Sequence, residues 1–184
     1  ESLRRCDSYI HGWLSMADPE TGEVGVAVTT RNACVGNRVP WVRVGVGAVA
    51  TQASTRPEYG MEILALLEEG YTPQEALEEA IAADPGAERR QVGVVGASGA
   101  TAQHTGSGPG AWAGERAGRN FAAQGNVLAG PEVLDEVARV MEETAGSGRA
   151  HSLSSMKKRS NSLPAYQLIG SGSVPSGQEA GESL

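Results

Sequence analysis

The stretch 45-GVGAVATQA-53 decides the architecture. Val44, Val46 and Ala48 alternate with Gly45, Gly47 and Val49, so apolar or small groups occupy both faces, as in a strand covered on both sides. The run then closes on Thr51 and Gln52, a hydroxyl and an amide that an apolar strand interior has no use for. A buried strand ending this way delivers polar groups to a loop end, where a site can form.

Upstream, 18-DPETGEVGVAVTTR-31 reads as a Pro/Gly turn followed by a strand, with Val24, Val26 and Val28 in period two. The preceding 9-YIHGWLSMA-17 supplies its antiparallel partner, and 32-NACVGNRVPW-41 is a loop leading to the decisive strand. Downstream come two helices. Met61, Leu64, Ala65 and Glu68 follow one helical stripe that stops at Gly70. In 72-TPQEALEEAIAADPG-86, Thr72 caps, Pro73 fits the first helical position and Glu75 completes a capping box, turning Leu77, Ala80 and Ile81 to the core.

Strand spacing returns in 91-QVGVVGASGATAQHTG-106, a hairpin turning at Gly96 to Gly99, and in 120-NFAAQGNVLAG-130, a strand ending at Gln124. A third helix, Glu132 to Thr144, carries Val133, Leu134, Val137, Val140 and Met141 on its apolar side. The order ββ, β, αα, ββ, β, α predicts α+β layers, not a doubly wound parallel sheet. Beyond Ala145 the chain is rich in Ser and Gly, with a basic cluster at Lys157 to Arg159, and is expected to be a largely disordered tail. The expected organisation is therefore an extension over 1–12, one domain over 13–145 and a tail over 146–184.

The 22 acidic and 15 basic residues give a formal charge of -7, which repels a phosphate backbone, so nucleic acid is not an expected partner. No stretch approaches the roughly 20 apolar residues that span a bilayer, and the first residues lack the apolar core of a signal peptide. A cytoplasmic protein with no membrane association is expected. Cys6 and Cys34 cannot build a Cys-x-x-Cys ligand set, and neither a metal nor a cofactor is expected. There is no Gly-x-Ser-x-Gly elbow, no Walker loop and no His-Glu-x-x-His, and Pro109 interrupts the superficially nucleotide-like 106-GSGPGA-111. His104 in 102-AQHTG-106 can act as a general base or simply hydrogen-bond a loop. Gln124 and Asn126 flank a glycine, where their amides can point at one bound oxygen or cap backbone groups.

Taken in order and spacing, DPETGEVGVAVTTR, VPWVRVGVGAVATQA, YG, ADPGAERRQVGVV, HTG, WAG and AAQGNVLAG resemble the uncharacterised family numbered 1028 among domains of unknown function, from about Leu14 to about Thr144. That resemblance implies the N-terminal nucleophile (Ntn) hydrolase superfamily, whose fold is a four-layer αββα sandwich, here truncated at its C-terminus, since a further helix and closing strands are replaced by the tail. It implies amide-bond hydrolysis of an unidentified substrate, or noncatalytic binding of a small-molecule or peptide ligand in the same cleft, with self-association left open. Thr30 and Arg31 would then stand beside the nucleophile, Asn126 would serve an oxyanion, and Thr51, Gln52, His104 and Gln124 would contact substrate. The family chemistry needs a Thr, Ser or Cys at a mature N-terminus, whose α-amine takes the nucleophile's proton. Here His11, Gly12 and Trp13 occupy the equivalent positions, leaving Cys6, Ser8 and Ser15 as the hydroxyl or thiol groups that cleavage would expose.

Overall fold

A computed structural model describes residues 11–30, 32, 34–110, 112–146 and 167–172. Nine strands and three α-helices are formed by these residues: β1 (His11–Asp18), β2 (Glu23–Thr29), β3 (Pro40–Arg43), β4 (Gly47–Ala53), α1 (Glu58–Glu68), α2 (Pro73–Ala82), β5 (Arg90–Gly96), β6 (Thr101–Thr105), β7 (Trp112–Gly118), β8 (Phe121–Leu128), α3 (Glu132–Gly146) and β9 (Gln167–Gly172). They build two antiparallel sheets, one ordered β7-β8-β1-β2-β9 and the other β3-β4-β5-β6.

Period-two alternation divides every central strand between two apolar layers. Trp13 and Ala17 of β1, Val24, Val26 and Val28 of β2, Ala48 and Ala50 of β4, and Val95 of β5 meet between the sheets. The opposite face of the four-stranded sheet, through Val49, Val92, Val94 and Ala102, packs on Tyr59, Ile63 and Leu64 of α1 and Ala76, Leu77 and Ala80 of α2. The opposite face of the five-stranded sheet, through Leu14, Met16, Ala27, Phe121 and Ala123, packs on Leu134 and Met141 of α3. The chain is thus α+β, layered helices, sheet, sheet, helix.

The first hairpin, the turn at Gly96 to Gly99 and the Thr72, Pro73, Glu75 capping box of α2 form as the sequence predicts. Four expectations need correction. The decisive stretch is not one strand from Val44: Arg43 to Val46 is a turn, closed by Val46 N–H on Arg43 O at 3.0 Å. Gly45 there adopts φ 74, which glycine takes without strain, and this leaves Val44 exposed at the tip of a β3–β4 hairpin. The α1 stripe is rotated, because Met61 is exposed while Tyr59 and Ile63 are fully buried. Gly60 sits beneath Trp41, whose ring would lie 2.0 Å from an added Cβ, and this close approach selects the helix face. β8 continues past Gln124 to Leu128, and β7, not anticipated, pairs with it. Within the stretch read as tail, Gln167–Gly172 forms β9 and pairs antiparallel with β2. Lys157 to Arg159 lie outside the described residues.

Candidate functional site

At one end of the sandwich the inter-sheet layer changes from apolar to polar. β1 begins there with His11, paired across the ladder with Asn126 of β8, and β4 brings Gln52, its next-to-last residue, there, paired with Gln91 of β5. Cross-strand partners project on the same face, so the alternation that sends Trp13, Ala50 and Val95 inward also sends these four inward.

Gln91 is the hub and is fully buried. Its Nε2 lies 3.0 Å from each of Thr105 Oγ1, Gly114 O and Gly125 O, and its Oε1 accepts from Asn126 Nδ2 at 3.2 Å. Two hydrogens serve three acceptors, so at least one bond is shared. Thr105 Oγ1 donates to Glu115 Oε2 at 2.6 Å, extending the network to β7. One step deeper, Gln124 Nε2 crosses between the sheets to Ala50 O at 3.1 Å. The crossing requires Gly93, because a Cβ there would lie 2.4 Å from Gln124 Oε1. These amides bond backbone carbonyls of the facing sheet and fix the spacing between the two sheets.

Above the hub, His11 Nδ1 lies 2.7 Å from Thr30 Oγ1, and Thr30 Oγ1 also accepts from Asn32 N–H at 3.1 Å. The Thr30 hydroxyl still has its hydrogen to give, and in the tautomer protonated on Nε2 it donates that hydrogen to Nδ1. A hydroxyl aimed at an imidazole nitrogen is the arrangement that activates a nucleophile.

Next to this pair an open cleft of about 870 Å³ is lined by Asn32, Cys34, Arg38, Gln52, Thr55 and Arg90 among others. Gln52 is 6% exposed. Its Oε1 accepts from Ala53 N–H at 3.0 Å, which fixes the orientation of the amide, and its buried Nε2 has no hydrogen-bond partner among the described residues. Ala53 and Cys34, two cleft residues, hold φ of 64 and 60, conformations that cost a side-chain-bearing residue about 1 kcal/mol or more. On the outer side, Arg90 Nε bonds Asp84 Oδ2 at 2.8 Å and its Nη1 donates to Ser54 O. Arg90, ahead of the opposing effect of burial, holds the Asp84 carboxyl well below the usual carboxylate range. Burial, reinforced by a hydrogen bond to Asp84, pushes the Tyr59 phenol up to about 12.

Thr30, Gln52, Gln124 and Asn126 are therefore brought to one end of the inter-sheet layer, with Gln124 the deepest. Two expected residues are not brought there. Thr51 follows the alternation to the opposite face of β4, where it pairs with Val92 and its hydroxyl donates to Arg56 O at 3.3 Å. His104 likewise faces the helix side, and its Nε2 lies 2.9 Å from Ala87 O, the loop-bonding role. Arg31, Cys6 and Ser8 lie outside the described residues. Ser15 is fully buried in the middle of β1, and cleavage before it would remove Trp13 and Leu14 from the core, so it is no N-terminal nucleophile. Sequence reasoning missed His11, Gln91 and Glu115. Gln91 had a legible signal, since it opens an apolar strand as Gln52 closes one; the pairing of His11 with Thr30 spans a whole hairpin and has none. Among the described residues no group of three or more His, Cys, Asp or Glu is placed to hold a metal ion, and no helix is long and apolar enough to cross a membrane.

The model of a family of unknown function, DUF1028, matches residues 14–159. A crystal structure of protein SPO2555 from Silicibacter pomeroyi, described as DUF1028, superposes with a TM-score of 0.68 at 30% sequence identity, covering 71% of this chain and 60% of that one. The chain thus spans less than two thirds of the length of that structure. No curated protein matches it.

Proposed function

Because the chain belongs to DUF1028, a family of unknown function, we propose from its own geometry that it is an amide hydrolase of N-terminal nucleophile hydrolase-like architecture, acting on a small-molecule or peptide ligand at the polar end of the inter-sheet layer. The observation that carries this reading is the 2.7 Å contact between Thr30 Oγ1 and His11 Nδ1, with Asn126 in the ladder position opposite His11. In the family resemblance the nucleophile belongs among the positions held by His11, Gly12 and Trp13; here the roles are redistributed, with the His11 imidazole there and the hydroxyl on the neighbouring strand end.

Thr30 Oγ attacks the amide carbonyl carbon and its proton passes to His11 Nδ1. As the tetrahedral intermediate collapses, the same proton goes to the leaving amine, and water then releases the acyl group from Thr30 with His11 again the base. One N–H of Asn126 is held by Gln91 Oε1, and the other is the donor for the oxyanion. Arg31, next in sequence to Thr30, supplies a positive charge beside it. Gln52 lines the wall facing the ligand, and Gln124, fully buried behind it, fixes the spacing of the two sheets there. This reading takes the protein as cytoplasmic and free to self-associate, with no metal or cofactor in the reaction. Its net charge of -7 supports keeping nucleic acid off the partner list.

A second reading, noncatalytic binding in the same cleft, is favoured by one observation, the partnerless Gln52 Nε2. Incubation with a panel of amides and short peptides, read by mass spectrometry for the wild type, Thr30→Ala and His11→Ala, separates the two. Cleavage lost on the order of a thousandfold in both variants supports hydrolysis; ligand binding without cleavage in the wild type supports the second reading.

A further inference from the structure

The cleft beside Thr30 also carries information about which end of a ligand it holds. On a chain of net charge -7, the described lining residues include two arginines, Arg38 and Arg90, and no carboxylate. The two are not equivalent. Arg90 is neutralised by Asp84 at 2.8 Å, whereas Arg38 is exposed and has no ion pair or side-chain hydrogen bond among the described residues. Among the described lining residues Arg38 therefore presents an uncompensated positive charge.

The second observation is independent of charge. Gln52 Nε2 is buried without a partner, and its orientation is fixed because Ala53 N–H requires an acceptor at Oε1. A buried donor left unpaired is costly, and because Gln52 lines the cleft, an acceptor on a ligand there can reach it. Rotating the amide does not resolve this, since it would set two N–H groups against each other.

The Gln52 amide donor and the Arg38 guanidinium, both on the cleft lining, form a donor set for a carboxylate that accepts from both. We infer that the cleft holds a carboxylate group of the ligand, with one oxygen on Gln52 Nε2 and the charge offset by Arg38. A phosphate is the competing anion, and the binding test below tells the two apart. The inference rests on the ligand-binding part of the reading above and not on hydrolysis. Asn32 joins the two: its backbone N–H bonds the Thr30 hydroxyl while the residue lines the cleft, so a ligand anchored by its carboxylate extends toward Thr30.

The test compares glutarate with glutaramide, its uncharged diamide, and with inorganic phosphate, by calorimetric titration of the full chain. Glutarate is expected to bind at least about tenfold more tightly than either, the difference that one charge-assisted hydrogen bond makes. Gln52→Glu, which replaces the donor by a negative oxygen of the same shape, and Arg38→Gln, which changes an exposed side chain and leaves the core intact, are each expected to weaken glutarate by about tenfold or more. Equal binding of glutarate and glutaramide, tighter binding of phosphate, no glutarate binding, or unchanged affinity in Arg38→Gln overturns the inference. If glutarate binds as expected and no amide is cleaved, the hydrolase reading fails alone; if neutral and acidic amides are cleaved equally, the carboxylate inference fails alone.

Discussion

Replacing Gln91 by Met keeps the length and volume of the side chain while removing every polar atom from the hub of the inter-sheet network. The structure sets the size of the effect. Gly125 O, contacted at 3.0 Å in a buried bond, loses its cross-sheet donor, and Asn126 Nδ2 loses its acceptor at 3.2 Å. Each buried group left unsatisfied costs roughly 1–3 kcal/mol. Thr105 Oγ1 keeps its bond to Glu115, and Gly114 O is only partly buried, so both add little. The total is about 3 kcal/mol, which for a chain of 184 residues lowers Tm by roughly 6–12 °C. Thermal unfolding by circular dichroism, with urea titration as a second measure and Gln74→Ala on the exposed face of α2 as control, reads it directly. A Gln91→Met protein within about 0.5 kcal/mol of the wild type would show that the amide does not hold the sheets together.

Three further outcomes follow from other parts of the fold. Ser15→Ala removes a fully buried hydroxyl without a partner among the described residues, so stability measured in urea should be unchanged or rise by up to about 1 kcal/mol; a clear loss would mean the hydroxyl is satisfied after all. Gly60→Ala drives a Cβ into the Trp41 ring and should cost about 1–3 kcal/mol, visible as a lower urea midpoint and a shifted tryptophan emission; a wild-type midpoint would contradict the packing of α1 on β3. The Asp84 carboxyl is depressed, so its stabilising contribution is present above the ordinary carboxylate pKa of about 4 and is lost as pH falls below it, whereas Tyr59 is raised to about 12 and its contribution, present below about 10, is lost as pH rises through that window. In Asp84→Asn both slopes of the stability profile should flatten, and a profile identical to the wild type would dissociate the pair from stability.

The layers could be read because they follow from local rules. Val24, Val26 and Val28 alternate within one strand, and Thr72, Pro73 and Glu75 cap α2 within one turn. The β3–β4 turn was hidden because Gly45 lies in a run whose small residues fit a two-faced strand as well as a hairpin. The α1 face was hidden because the selection is made by Trp41, 19 residues before Gly60 in the chain. At the site, Thr30, Gln52, Gln124 and Asn126 were legible as polar ends of apolar strands. Period two alone separates Thr51 from Gln52 by putting consecutive residues on opposite faces, and the same rule sends His104 to the helix side with Ala102. The contact of His11 with Thr30 was not legible, since Thr30 is supplied by the far end of the β1–β2 hairpin.

The contact between Thr30 and His11 bears the most weight, and nuclear magnetic resonance of the His11 imidazole tests it most directly. With 15N-labelled histidine, the account predicts a neutral ring protonated on Nε2, an Nδ1 resonance shifted by the hydrogen bond it accepts, and loss of that shift in Thr30→Val. An Nδ1-protonated ring, or a spectrum that Thr30→Val leaves unchanged, would contradict it.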